Sequence, residues 1–331
     1  MRAAVFRGPG RITVQERHEP AALASDETLV APLLVGLCGT DRGIYLGRYR
    51  ARPGVTLGHE AVATVVAVGS KGSALRPGQR VVLDPTRWCG TCDACRAGTT
   101  RFCRHKGELE IGIAQDGALA ERLVVPEVAL QRVPDAMSSQ QAVLVEPLAC
   151  VMNAATTARL GDRDRVTVLG AGPLGLLWAL LAGRSAQSVQ VVETDSYRRC
   201  FATALLGEAA VTADPPRRDA DLVVDTTGHG VETAVEIAAD AGGIVLMGCD
   251  VTAIAHIAPF VLTARGLSLI GAADYDAPMF ANALRLAGEL GGERLITHRF
   301  ALADIGRAID HLSPRGEGYR AVKVVIEPQS P

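Results

Sequence analysis

The sequence predicts an α/β protein in two parts, a β-rich part and a doubly wound parallel sheet. Three observations predict it. Short runs that alternate apolar and polar residues fill the early chain, as in Ile12-Thr13-Val14 and Thr28-Leu29-Val30, and period-two alternation marks antiparallel strands with one buried face. From Val166 onward strand-like runs alternate with helical ones, the order that a parallel sheet with crossover helices requires. The length of 331 residues exceeds one ordinary domain and suits two or three.

Composition sets the class of partner. With 48% hydrophobic and 21% charged residues and a formal net charge of -2, the chain offers no basic surface for nucleic acid or an anionic membrane. The N-terminal Met1-Arg2-Ala3-Ala4-Val5-Phe6-Arg7 lacks the apolar core of a signal peptide. Residues 166–183 are apolar enough for a short membrane span, but Gly170, Gly172, Pro173 and Gly175 divide them into strand, turn and helix. Eight cysteines in a chain this long do not make a disulfide scaffold. Cys150, Cys200 and Cys249 sit singly in apolar surroundings and are expected to be inert core residues. A cytoplasmic location is expected.

In the β-rich part, apolar runs at 61–66 and 80–83 continue the strand pattern, with Lys71-Gly72 and Pro77-Gly78 as turns. Cys38-Gly39-Thr40-Asp41 and Gly58-His59-Glu60 place a thiolate, an imidazole and carboxylates in one short stretch. That donor set suits a divalent zinc ion; the alternative is a buried structural cysteine beside an unrelated histidine. Cys89, Cys92, Cys95 and Cys103 fall within fifteen residues. Four thiolates make a closed tetrahedral zinc site, with an iron–sulfur cluster as the competing reading. The residue after Cys103 is Arg104, not the proline of the bacterial ferredoxin run.

Residues 117–134 return to strand alternation, and Ser138 to Leu160 read as a helix capped by Ser138 or Ser139. Glu146 lies inside that apolar stretch, where a carboxylate is costly unless paired or metal-bound. It is the candidate third strong zinc ligand; the alternative is a half-exposed glutamate ahead of Pro147. At Gly170-Ala171-Gly172-Pro173-Leu174-Gly175 a strand turns into a helix, the setting in which glycines let the backbone approach a pyrophosphate. Glu193 and Asp195 follow a little over twenty residues after the first glycine, where an acid holds the adenosine ribose of NAD and repels a 2′-phosphate. Which of the two points inward is open. Strands are expected at 222–225, 244–247, 267–270 and 321–326, and helices at 231–240, 278–289 and 302–312. Between Thr212 and Leu222 the Pro215-Pro216 pair forbids a helix of useful length, so a crossover helix is expected to be missing.

Taken together, Cys38-Gly-Thr-Asp41, Gly58-His59-Glu60, the four-cysteine lobe, Glu146-Pro147, the glycine turn and Thr297-His298-Arg299-Phe300 resemble the zinc-dependent medium-chain alcohol dehydrogenase family. Its polyol, sugar and cyclitol branch is the most similar. The resemblance implies a GroES-like catalytic domain at 1–147 and 293–331 around a Rossmann domain at 148–292. It implies catalytic zinc on Cys38, His59 and Glu146, with Glu60 exchanging and Glu146 binding directly or through water. It further implies that Asp41 orients the His59 ring, that Thr40 takes the alcohol proton, that Arg299 steadies the glutamate, and that NAD takes the hydride. Relatives with a relay histidine two residues after the aspartate differ from this chain, which has Gly43. Tyr45 is then a candidate substrate contact, and Glu108 and Glu110 are candidate hydrogen-bond acceptors for a polyhydroxy substrate. A homo-oligomer, dimer or tetramer, is expected. The competing readings are an L-threonine-type amino-alcohol dehydrogenase and a non-catalytic zinc and dinucleotide-binding protein.

Overall fold

The computed structural model describes residues 1–19, 22–312 and 320–330. The chain divides into two compact units, Met1–Glu146 with Tyr275–Pro331, and Pro147–Asp274. The first boundary falls between Glu146 and Pro147. The return comes at Tyr275 rather than 293, because the residues that follow the crossing are tied into the first unit. The Tyr275 hydroxyl donates to Asp84 Oδ1 at 2.9 Å, Ala277 N donates to Thr100 Oγ1 at 3.1 Å, and Asp276 pairs with Arg101.

The first unit opens with a hairpin of β1 (Arg2–Gly8) and β2 (Arg11–Glu16). Next come β3 (Glu27–Gly36), β4 (Glu60–Val68), β5 (Arg80–Leu83), β6 (Leu123–Pro126) and β7 (Leu130–Arg132). In the second unit the strands are β8 (Arg165–Leu169), β9 (Ser188–Val192), β10 (Val211–Thr212), β11 (Ala220–Asp225), β12 (Ala238–Leu246) and β13 (Ser268–Gly271). Two more, β14 (Ile296–Ala301) and β15 (Lys323–Glu327), return to the first unit.

The first unit's main sheet runs β14-β15-β3-β4-β5-β7, with β6 also on β3. Alternate residues of β3 are buried, as the sequence alternation requires. Register matters more than content here. Gly36 at the end of β3 lies opposite Glu60 at the start of β4, and Val325 of β15 lies opposite Gly36. The three strands therefore deliver Cys38, His59 and Lys323 to one end of the sheet. A Cβ at 36 would lie 2.2 Å from Glu60 Oε2 and 3.0 Å from Lys323 Cε, so a side chain there would push on the Glu60–Lys323 pair.

The second unit is a parallel six-stranded sheet in the order β10-β9-β8-β11-β12-β13. The missing crossover helix is borne out: residues 213–219 join β10 to β11 without one. Seven extended residues suffice, since three interstrand steps of about 4.8 Å separate the two strands. Several helices are shorter than the sequence pattern. The 138–160 helix breaks into Ser139–Ala142, capped by Ser138 through Gln141 N, and Val145–Thr157. The 231–240 helix stops at Ile237, where the chain extends into β12, and the 302–312 helix is confined to Ile305–Asp310 after a 3₁₀ turn. Cys200 and Cys249 are exposed and Cys150 half-buried, against the expectation of core cysteines. Apolar neighbours in sequence did not imply an inward face. Among the described residues no helix is long and apolar enough to cross a membrane.

Candidate functional site

Cys38 precedes the helix Gly39–Tyr45, and its backbone N–H donates to Asp41 Oδ2 at 2.9 Å. This reciprocal cap fixes the fully buried Asp41. The other carboxylate oxygen faces His59 Nδ1 at 3.8 Å, and neither atom has a hydrogen-bond partner. With Nδ1 turned toward Asp41, the free nitrogen of the imidazole for a cation is Nε2. One ligand atom each from Cys38, His59 and Glu60 lies within 4.8 Å of the others. Thr40 Oγ1 stands 3.7 Å from Cys38 Sγ. Glu146 opens the helix Val145–Thr157 and is 9% exposed. It is not one of the atoms within that radius, yet its charge acts on both His59 and Lys323.

Lys323 was missed in the sequence. It is buried, donates to Leu37 O at 3.1 Å and pairs with Glu60 Oε2. The signal was a lone cation in the apolar run Ala321-Val322-Lys323-Val324-Val325-Ile326. The role expected of Arg299 therefore needs correction. Arg299 is exposed on β14 and pairs with Glu327 of β15 at 3.0 Å, so it holds neither glutamate; Lys323 holds Glu60.

The residues fit a divalent cation. Burial alone would lower the pKa of His59, but Asp41, Cys38 and Glu146 outweigh it and hold the ring well above the usual histidine range. Lys323 is raised in the same way: burial lowers it, while Glu60, Cys38 and Glu146 raise it. Anionic groups thus crowd a buried space holding sulfur, nitrogen and oxygen donors. This is a zinc donor set of three residues, one short of the four that close a structural site.

The four cysteines form a second, closed cluster, with one Sγ from each within 4.8 Å of the others. Cys92 and Cys95 Sγ are 3.5 Å apart, and Cys89 and Cys95 Sγ 4.0 Å. Four sulfurs about 2.3 Å from a tetrahedral zinc stand ~3.8 Å apart. The hydroxyl and amide of Thr91 and the amide of Cys92 hold Cys89 down at about 5. Burial and the Cys92 thiol push Cys95 up to about 12. A metal bound among these four sulfurs would take them as thiolates, releasing protons as it binds.

In the second unit, β9 ends immediately before Glu193, whose buried carboxylate accepts from Ala171 N and Asp195 N, both at 2.8 Å. Asp195 instead caps the helix Ser196–Leu206 through Arg198 N at 2.8 Å. The question left open by the sequence is answered: Glu193 reaches the glycine turn and Asp195 does not. A Cβ on Gly175 would lie 1.9 Å from Gly170 O, so strand and helix touch there through bare backbone. Gly172 caps the helix Pro173–Ala182, with Pro173 and Leu174 in its first turn and its N-terminal amides at the turn.

The family described as alcohol dehydrogenase GroES-like domain matches residues 24–135. The chain is 34% identical over 323 residues to D-altritol 5-dehydrogenase of Agrobacterium fabrum, covering 92% of this chain and 94% of that one. Two solved structures each cover 99% of both chains. A zinc-binding dehydrogenase from Sinorhizobium meliloti 1021, bound to NADP, is 28% identical with a TM-score of 0.88. An alcohol dehydrogenase from Escherichia coli CFT073, complexed with NADH, is 27% identical with a TM-score of 0.87. On the motifs, the two cysteine-bearing clusters and these likenesses, the chain belongs to the zinc-dependent medium-chain alcohol dehydrogenase family, in its polyol dehydrogenase-like branch.

Proposed function

We propose that the protein oxidises a secondary hydroxyl of a polyol, sugar or cyclitol and passes the hydride to NAD. The observation that carries this is the cluster of half-buried Cys38 with buried His59 and Glu60, with the Thr40 hydroxyl beside it. When bound, zinc on Cys38, His59 and Glu146 supplies a Lewis acid for the hydroxyl oxygen, and NAD supplies the hydride acceptor. The chain's own residues do the rest. Asp41 faces Nδ1 of His59 and fixes which ring nitrogen is presented. Thr40 takes the alcohol proton. Lys323 holds Glu60 at the edge of the cluster, available to exchange. Glu193, at the glycine turn, repels a 2′-phosphate and selects NAD. This choice belongs to the residues, since relatives of the same fold hold either cofactor.

The relay position is Gly43, and a Cβ there would lie 3.3 Å from Tyr49 Cβ. Tyr49 lies against the place where a side chain at 43 would start, and with glycine there the proton leaves Thr40 through water or another group. Tyr45 is half-buried against the core of the first unit. A homo-oligomer in the cytoplasm is part of the same reading. The test is NAD reduction across polyols, aldoses, cyclitols, L-threonine and simple alkanols. Polyhydroxy compounds should exceed ethanol by roughly 10²-fold or more in kcat/KM. Ethanol turned over as well as every polyhydroxy compound would refute the reading, and L-threonine leading the panel would select the amino-alcohol alternative.

A further inference from the structure

We infer that Thr297 is a positioning residue for the open cluster: its hydroxyl fixes the backbone of Lys323, and so the place where the Lys323 ammonium holds Glu60. The inference rests on the reading of Cys38, His59 and Glu60 as the catalytic metal site. Thr297 sits where the ladder between β14 and β15 slips. Ile296 lies opposite Lys323 and His298 opposite Val324, so Thr297 is the extra residue of a bulge. A bulge leaves one residue outside the ladder and re-aims its neighbours. Here the side chain supplies what the ladder lacks. Thr297 Oγ1 accepts from Val322 N at 3.0 Å and donates to Lys323 O at 3.3 Å. His298 Nδ1 stands 3.0 Å from the same oxygen. A hydroxyl has one proton, and a backbone carbonyl only accepts. The proton therefore goes to Lys323 O, and the Nδ1–H of His298 donates to Thr297. The His298 ring is itself packed against Phe300 and His311, with centroids 6.4 and 4.8 Å away.

The far end of Lys323 is bounded as closely. A Cβ on Gly36 would lie 3.0 Å from Lys323 Cε, so the stem of the lysine runs past the gap that this glycine leaves. Beyond it Nζ donates to Leu37 O at 3.1 Å and pairs with Glu60 Oε2. The next residue of β15 is tied to the same stretch, since Leu37 N donates to Val324 O at 3.0 Å. Leu37 immediately precedes Cys38. The Thr297 hydroxyl thus anchors the main chain of Lys323, while its ammonium joins Leu37 and Glu60 at the cluster. Without the hydroxyl, Val322 N and Lys323 O lose that partner, β15 shifts, and the ammonium moves off Glu60. A buried carboxylate without its partner is costly and turns to the nearest cation. In the metal-loaded enzyme Glu60 then takes the position that a substrate hydroxyl needs.

The experiment measures kcat and zinc content of Thr297→Val and Thr297→Ser in the zinc-loaded enzyme, and the visible spectrum of each with cobalt exchanged into the Cys38 cluster. Thr297→Val keeps the side-chain shape and removes the hydroxyl. It should retain its zinc while kcat falls about 10-fold or more, and its cobalt bands should shift as the Glu60 oxygen joins the metal. Thr297→Ser should restore the wild-type bands and bring kcat to within about twofold of wild type. In a Glu60→Gln background the charge through which Thr297 acts is gone, so Thr297→Val should change kcat by less than about twofold. Wild-type kcat and wild-type bands in Thr297→Val overturn this inference alone. A loss that comes with lost zinc, that Thr297→Ser does not restore, or that persists in full beside Glu60→Gln marks Thr297 as general packing and overturns it too. A cobalt spectrum that Cys38→Ser leaves unchanged overturns the reading of the site, and this inference with it.

Discussion

Lys323 and Glu60 face each other at the end of the sheet, both almost without solvent. Such a pair is weak evidence of stability while intact, because desolvating both charges offsets most of their attraction. Removing one partner is different, since it leaves the other charge buried and alone. Lys323→Met is therefore expected to destabilise the zinc-loaded protein by about 3–5 kcal/mol in denaturant unfolding. A loss below about 1 kcal/mol would show that Glu60 finds another partner. Glu193 makes the second residue-scale case. Its carboxylate is bound to the glycine turn through Ala171 N, so Glu193→Gln keeps an acceptor there but removes the charge that repels a 2′-phosphate. The ratio of kcat/KM for NAD over NADP should fall by roughly tenfold or more. An unchanged ratio would pass the selecting role to another residue.

Elements show the same logic through Asp84, at the end of β5. Burial raises its pKa to about 6 against the opposing pull of the Tyr275 hydroxyl, the Thr86 amide and Arg87. The folded state thus keeps a proton that the unfolded chain, near its ordinary value of about 3.9, gives up first. Stability must fall as pH rises from about 4 to about 6 and stay level above, a loss of about 3 kcal/mol. Asp84→Asn keeps an acceptor for Tyr275 without the charge. Its melting temperature relative to wild type should be higher at pH 7.5 than at pH 4.5; an equal difference at both would show that Asp84 does not titrate in this range.

Legibility in the sequence followed the same division between local and distant. Strands, the glycine turn, the cysteine cluster and the trimmed crossover are set by neighbours along the chain, and period and spacing revealed them. Glu193 against Asp195 needed the twist of a loop, and Lys323 lies 263 residues from Glu60. Arg299 was misplaced for the same reason: the strand register that turns it to Glu327 is set across β14 and β15. The exposed Cys200 and Cys249 show that apolar neighbours along a chain do not tell which face a residue takes.

For the whole molecule, two clusters within one unit imply two zinc ions with different consequences. The four-cysteine cluster ties a loop of short turns, with Cys103 the one ligand of the four that is buried. Metal there is coupled to folding, because that loop has little apolar core of its own to hold it. The Cys38–His59–Glu60 cluster sits instead at the end of a sheet whose core is complete, from Val35 and Leu37 to Val324 and Ile326. Metal there serves chemistry, and the sheet stands without it. Elemental analysis should find about two zinc ions per chain. Cys38→Ser should lose one zinc and all turnover while its circular dichroism stays that of a folded chain. Cys89→Ser should lose the other and with it solubility or tens of per cent of the folded fraction. If Cys38→Ser retained both metals, the Cys38 cluster would not be a zinc site, and the proposed route from substrate hydroxyl through Thr40 would fall with it.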